Sequence, residues 1–310
     1  MMLSRVAERV YWFARYLERV ESMARLINVY TSLLFDLPKD TGISWHNLVV
    51  ASGSHQEYER RFSVKDEKRV IKFLLEDTSN LSSLTSSLTM VRENIRTTRD
   101  ILPAECWELV NEFQIFVNEN MQQGINRRHR NEFLGDIIKT CQQINGLISD
   151  TMRRDDAWHF LVLGRSLETA DMTLRTLEAG SRMSVDCFEH DSVHVTDAVW
   201  SSVLGTLNAI MPFRRTMKVS LNGEDSARFL LEDTLFPRAV AACLLDMRSS
   251  AGVLPGGMPV GKFLDQLIKK VEKGDHYDDV FEGLPAHLDE LQRSLGGLNN
   301  VINDTWFTPS

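Results

Sequence analysis

The sequence has little of what would mark a secreted, membrane-spanning or nucleic-acid-binding protein. Its four cysteines, Cys106, Cys141, Cys187 and Cys243, lie in four separate segments without a CxxC pair, which excludes a disulfide framework and fits a reducing compartment. No run of about 18 apolar residues occurs, so no transmembrane helix is expected. The N-terminal stretch is charged and amphipathic, and it lacks the apolar segment and small-residue cleavage site of a secretory leader. A soluble, cytoplasmic protein is the expectation. Basic residues are not in excess either: 35 Lys and Arg face 43 Asp and Glu, for a net charge of -8. With both signs interleaved along the chain, a general binder of nucleic acid or of anionic membranes is excluded. Alternating strand patterns of any length are missing, and no local signature marks a serine or cysteine nucleophile with its histidine.

What is present is one unit written twice. "WFARYLERVESMAR" at 12–25 places Arg15, Glu18, Glu21 and Arg25 at the spacing that "LGRSLETADMTLRTLE" at 163–178 repeats with Arg165, Glu168, Asp171 and Arg175. Trp45, Leu48 and Val49 recur as Trp200, Val203 and Leu204, and "FLLEDT" at 73–78 returns letter for letter at 229–234. Arg92 then matches Arg248, and "INGLISDTM" at 144–152 answers "LNNVINDTW" at 298–306. Matches in the same order with nearly constant register divide the chain into 1–153 and 154–310, repeats of about 154 residues packed as one compact domain.

Within each repeat the apolar spacing is helical. On a helical wheel Leu3, Val6, Val10, Phe13, Leu17, Val20, Ala24 and Ile27 fall in one arc of roughly 120°, a buried stripe. Further helices are predicted at about 43–60, 65–76, 79–100, 104–121 and 131–152, then 155–179, 196–216, 224–232, 235–250, 260–273 and 284–303. Ser63 with Asp66 resembles a capping box, Pro38 and "VLPGGMP" at 253–259 read as stops, and 180–195 reads as the longest loop. The expected fold is all-α, a bundle of about a dozen helices in two tandem pseudo-symmetric repeats.

Arg15, Glu18, Glu21 and Arg25 form a second arc of the first helix, shared with Ser4, Ala7, Tyr11, Ala14 and Ser22. Small residues between charges suit a covered face, since a solvated one usually carries long Lys and Glu chains. Two readings stay open. In one, a semi-buried ion network fixes how the halves dock, and losing a member costs about 3–5 kcal/mol. In the other, the two charged helices line a polar cleft, with arginines clamping a carboxylate or phosphate and a glutamate binding an amine or acting as base.

Other constellations carry less. "GGMPVGKF" at 256–263 nearly spells a phosphate loop, but Phe263 stands where Ser or Thr should hold magnesium and no strand precedes it. The acidic pairs Glu76-Asp77 and Glu232-Asp233 read as helix-end caps. Asp155 or Asp156 can cap the repeated helix, and Cys187, Glu189, His190, Asp191 and His194 crowd one segment without a metal-site spacing. The basic run Arg127, Arg128, His129, Arg130 reads as a solvated connection, and Arg92, Arg96 and Arg99 share one helix face, with Arg92 and Arg248 within reach of the charged cleft.

"LSRVAERVYWFARYLERVESMARLI" at 3–27, "VRENIRTTRDILPAECWELVNEF" at 91–113 and "FPRAVAACL" at 236–244 resemble three blocks of the alpha-E family, a bacterial all-helical domain named for a Glu-Arg pair. Glu18-Arg19 is the matching pair, and the second copy departs from it with Glu168-Thr169. Members are typically encoded beside, or fused to, a circularly permuted ATP-grasp protein, often near a transglutaminase-like protein. The resemblance therefore implies a part in an ATP-dependent system that forms or modifies peptide or amide bonds. ATP and magnesium would be bound by that partner and no cofactor by this chain. Glu18 and Arg19 are then the candidate catalytic pair, and Arg15, Glu21, Arg25, Arg92, Arg165, Glu168, Asp171 and Arg175 the candidate contacts to an amino-acid or peptide substrate. The alternative is a non-catalytic adaptor whose charged helices only dock the two halves.

Overall fold

The computed structural model describes residues 2–38, 41–189, 193–272 and 283–308, apart from the side chains of 186–189 and 193–194. Fourteen helices and no strand occur among these residues. Two long helices, α1 (Ser4–Asp36) and α8 (Asp156–Glu189), lie side by side at the centre. Tyr11 and Ala14 of α1 meet Gly164, and Arg15 and Arg19 meet Glu168. The register rises together, so the two helices run in the same direction.

Around α1 pack α5 (Leu84–Arg96), α7 (Arg130–Thr151) and α9 (Val193–Thr206). Around α8 pack α12 (Val240–Val253), α14 (Gly283–Trp306), α9 again and α2 (Trp45–Ala51). An outer helix covers each side: α6 (Ala104–Ile125) lies on α5 and α7, and α13 (Met258–Glu272) on α12 and α14. Four short helices, α3 (His55–Arg61), α4 (Glu67–Leu75), α10 (Ile210–Met217) and α11 (Gly223–Glu232), pack on α2, α9 and their neighbours.

One continuous apolar core draws on residues from Ala7 to Phe307. The predicted stripe of α1 supplies much of it: Val10, Phe13, Leu17, Val20, Ala24 and Ile27 are buried, each large side chain contributing roughly 1.5–3 kcal/mol. Leu3 departs from the stripe, standing exposed as the extended N-cap residue just before α1.

Several boundaries move for identifiable reasons. The helix expected over 43–60 breaks at Gly53, where φ is +72 and any side chain would strike the guanidinium of Arg175. The one expected over 196–216 breaks at Asn208, φ 55. Asp66 itself caps α4, accepting from the Arg69 amide, so the capping box with Ser63 is replaced by a simple N-cap. The helix expected from 79 starts at Leu84 with Ser83 as cap, and the one expected from 235 starts at Val240.

The loop expected over 180–195 is a correction: α8 continues to Glu189 and α9 opens at Val193. Gly180, Ser181 and Ser184 are not loop formers here but the small residues that let α9 approach, since a side chain at Gly180 would press on Val203 and the Ser184 hydroxyl donates to the Gly180 carbonyl. His190 and Asp191, with the side chains of Cys187, Glu189 and His194, lie outside the described residues.

The basic run also reads differently. Arg130 is buried, donating to the carbonyls of Gly124 and Ile125 and to Glu67, which pairs with Arg127 as well. One guanidinium thereby ties the α6 to α7 connection to the start of α4.

Candidate functional site

The covered charged face of α1 exists because the two central backbones come close. A side chain at Gly164 would strike the Tyr11 carbonyl and crowd Ala14, so glycine and alanine set the separation. Arg15, Glu18 and Glu21 are buried at this contact, as is Glu168 from α8.

The carboxylate of Glu168 is 1% exposed and closed on every side. Arg15 donates from Nε at 2.9 Å and lies 2.8 Å away through Nη2. Arg19 donates from Nε at 2.5 Å and from Nη2 at 3.0 Å. Asn299 of α14 completes the cluster, accepting from Arg15 Nη1 and from the Tyr11 hydroxyl, both at 2.8 Å. Burial alone would raise the Glu168 pKa, but Arg19 and Arg15 outweigh it and hold the group down at about 2. Burial also works against the Arg15 cation, and Glu168 overrides it, keeping Arg15 above the ordinary arginine range.

Glu18 is as deeply buried, also 1% exposed, yet its carboxylate is only half satisfied. Oε1 accepts from Arg238 Nη1 at 2.7 Å and from the Ser22 hydroxyl at 3.0 Å. Oε2 accepts no hydrogen bond from the protein, and the nearest cation, Arg165 Nε, stands 3.6 Å off on a side chain that is 51% exposed. Glu18 lines a cavity of about 410 Å³. Its apolar walls come from Phe13 and Leu17 of α1, Ile148 of α7, and Trp158 and Leu161 of α8; Arg165, Asn145 and Asp246 supply further polar groups. Asp246, on α12, has its carboxyl pushed up by burial, with Arg165 pulling the other way. The buried Cys243 thiol is pushed up to about 12 by burial, reinforced by Glu18 and Asp246.

The remaining predicted residues fall into three groups. Glu21 Oε1 accepts from Arg25 at 2.8 and 2.9 Å and from Arg238 Nη2 at 3.2 Å, extending the Glu18 cluster along α1. Asp171 holds Arg175 at 2.8 Å, and both line a separate groove of about 360 Å³ beside Arg15 and Asn299. Arg92 is placed elsewhere: its Nε donates to Asn111 of α6 at 2.9 Å and its guanidinium lies over Trp107. Arg248 is likewise held on the outer side, by Asp265 of α13 at 2.6 Å. Arg96 pairs with Glu93 and Arg99 lies over Trp107, so neither faces the cavity.

Arg19 is brought to Glu168 rather than to the cavity, which puts it in the network as a positioning group. Of the two Glu-Arg pairs in α1, Glu8-Arg9 lines a surface groove with Trp12 and Tyr16, and Glu18-Arg19 is the one in the ionic network. Sequence reasoning missed Arg238, Asn145, Asn299 and Asp246. Arg238 stood inside "FPRAVAACL", and the two asparagines occupy the same place in "INGLISDTM" and "LNNVINDTW". Asp246 carried no signal.

The acidic pairs behave as turn caps. Asp77 accepts from the Ser79 amide, and Asp233 from those of Leu235 and Phe236. "GGMPVGKF" leads into α13, with Gly257 pressed on the Ala251 carbonyl, and forms no phosphate cradle after a strand. Among the described residues no three His, Cys, Asp or Glu side chains are grouped as a metal would need, and no helix is long and apolar enough to cross a membrane. The Glu18 cavity can thus offer a donor-seeking carboxylate oxygen, a partly exposed arginine and an apolar wall.

Comparison with known proteins separates fold from chemistry. No curated protein and no solved structure matches the chain significantly. A family model does match, over residues 2–307 and so nearly the whole chain, and it is described as a predicted alpha-helical domain with a conserved ER motif. The all-helical architecture of the described residues agrees with that description, and the chain belongs to the Alpha-E family.

Proposed function

We propose that this chain is the substrate-holding helical component of a cytoplasmic, ATP-dependent system that forms or modifies peptide or amide bonds, acting with a separate circularly permuted ATP-grasp protein and, as a further neighbour, a transglutaminase-like protein. The observation that carries the reading is the Glu18 carboxylate, buried at a cavity with one oxygen accepting no hydrogen bond. A fully structural glutamate would be satisfied on both oxygens, as Glu168 is. With no phosphate cradle formed by "GGMPVGKF", ATP and magnesium belong to the partner in this scheme. Glu18 anchors or deprotonates an amine, Arg165 is the group available to an anion, and Arg19 with Arg15 positions the frame through Glu168.

A second reading, a non-catalytic adaptor, draws on the Glu168 cluster, which is closed and suits a docking function. Mixing the purified chain with the neighbouring ATP-grasp protein separates the two. Co-elution, together with an amine-dependent rise in ADP release that Glu18→Gln diminishes in a folded protein, is expected. Absence of both a complex and any change in ATP turnover sinks the proposal; a complex whose turnover ignores Glu18→Gln favours the adaptor.

A further inference from the structure

The cavity beside Glu18 differs from its sequence counterpart beside Glu168 at one decisive position. The repeat sets Arg19 against Thr169. On α1 the Arg19 guanidinium fills the space over Glu168 and neutralises it. On α8 the short Thr169 lines the cavity instead, its hydroxyl turned back to the Arg165 carbonyl at 2.9 Å. The Glu18 side therefore lacks both the volume and the positive charge of that arginine.

Other charges do not make up the loss. Arg238 is shared between Glu18 Oε1 and Glu21 Oε1, which leaves Glu18 Oε2 without a donor. Asp246, a partly solvent-exposed residue that also lines the cavity, has no hydrogen bond or ion pair among the described residues. Both carboxylates act on the same buried thiol of Cys243, so their fields overlap. Among the described residues that line the cavity, Arg165 is the cation not already within hydrogen-bond distance of a carboxylate, and half of its side chain is in solvent. Beneath these polar groups lie Phe13, Leu17 and Leu161.

We propose that this cavity binds a primary ammonium group carried on an apolar chain, with the ammonium taking the place that Arg19 fills on the Glu168 side, donating to Glu18 Oε2 and facing Asp246. The proposal rests on the reading of the cavity as the substrate-holding site and names the chemical class of the group held there. An ammonium supplies three donors and one positive charge in a small volume, which suits a buried acceptor near a second carboxylate. A cavity of about 410 Å³ is within the size range of small-molecule sites.

Calorimetric titration of the chain alone with n-hexylamine, 1-hexanol and hexanoate tests it. Saturable binding of hexylamine, at least about tenfold stronger than that of the alcohol, is expected. Asp246→Asn should weaken it several-fold, and Thr169→Arg, which returns the missing guanidinium, should abolish it while leaving the helical circular dichroism unchanged. Preference for hexanoate would assign the cavity to an anion through Arg165 and overturn the proposal. So would failure of all three compounds to bind, or hexylamine binding that survives Thr169→Arg in a folded protein. Because the titration needs no partner, its failure is distinct from that of the ATP-grasp reading, which complex formation and ATP turnover decide.

Discussion

Glu168 and Glu18 stand at matching positions of the similar stretches 163–178 and 12–25 and are equally buried, yet one is locked and the other is open. Glu168 receives donors from Arg15 and Arg19 on both oxygens. Glu18 receives Arg238 and Ser22 on one oxygen and none on the other. Arg15 and Arg165 show the same contrast, the first buried against Glu168 and Asn299, the second half exposed and 3.6 Å from Glu18. Burial by itself therefore does not tell whether a carboxylate is structural. What decides is whether the neighbouring elements return the donors that water would have supplied.

The comparison is most exposed to substitution of the two glutamates. Glu168→Gln leaves Arg15 and Arg19 without their counter-charge, and a loss of about 3–5 kcal/mol in chemical denaturation is expected. Glu18→Gln should cost less, about 1–3 kcal/mol, because Arg238 keeps Glu21 as partner. Equal losses would erase the distinction between lock and site. Arg19→Thr, which puts on α1 the residue that follows Glu168 on α8, is next. Because Arg15 still holds the carboxylate and Arg19 is itself partly exposed, stability should fall by roughly 1.5–3 kcal/mol in all.

Acid titration sharpens the same point. Glu168 is held at about 2, below the ordinary glutamate value of 4.5, so its contribution is present in full above pH about 4.5 and is lost as pH falls toward 2. The wild-type chain should lose stability through this window, and Glu168→Gln should lose correspondingly less. An acid limb unchanged by that substitution would show that Glu168 is not held down by its arginines. The smallest effect belongs to Arg165→Gln: a half-exposed, distant pair should change stability by less than about 1 kcal/mol, measured by urea unfolding.

Much of this architecture was legible in the chain. The apolar arc of α1 announced a buried stripe, and the small residues Ala7 and Ala14 among its charges announced a covered face rather than a solvated one. The matched charges of 12–25 and 163–178 pointed to both α1 and α8 before any contact was known. Glu18-Arg19 against Glu168-Thr169 marked where the two similar stretches differ, though not that Thr169 lines a cavity. Less legible were places where a distant residue rules. That Gly53 has no room for a side chain is set by Arg175, far along the chain, and Gly180 inside α8 is held to a small residue by Val203 of α9. Arg92 looked as eligible as Arg25 because both are arginines on amphipathic helices; only the packing of α6 shows that it faces Asn111 and Trp107.

The sequence by itself determined the helical class, the amphipathic stripe of α1, the start of α4 at Asp66 and the presence of charges on a face meant to be covered, because helical period and capping chemistry are local properties. Tertiary structure alone decided which charges pair across α1 and α8, and that Arg238, arriving from the turn before α12, satisfies half of Glu18. Pairing depends on which backbones approach, and here that approach is set by Gly164 against the Tyr11 carbonyl, a contact between residues that no local pattern connects.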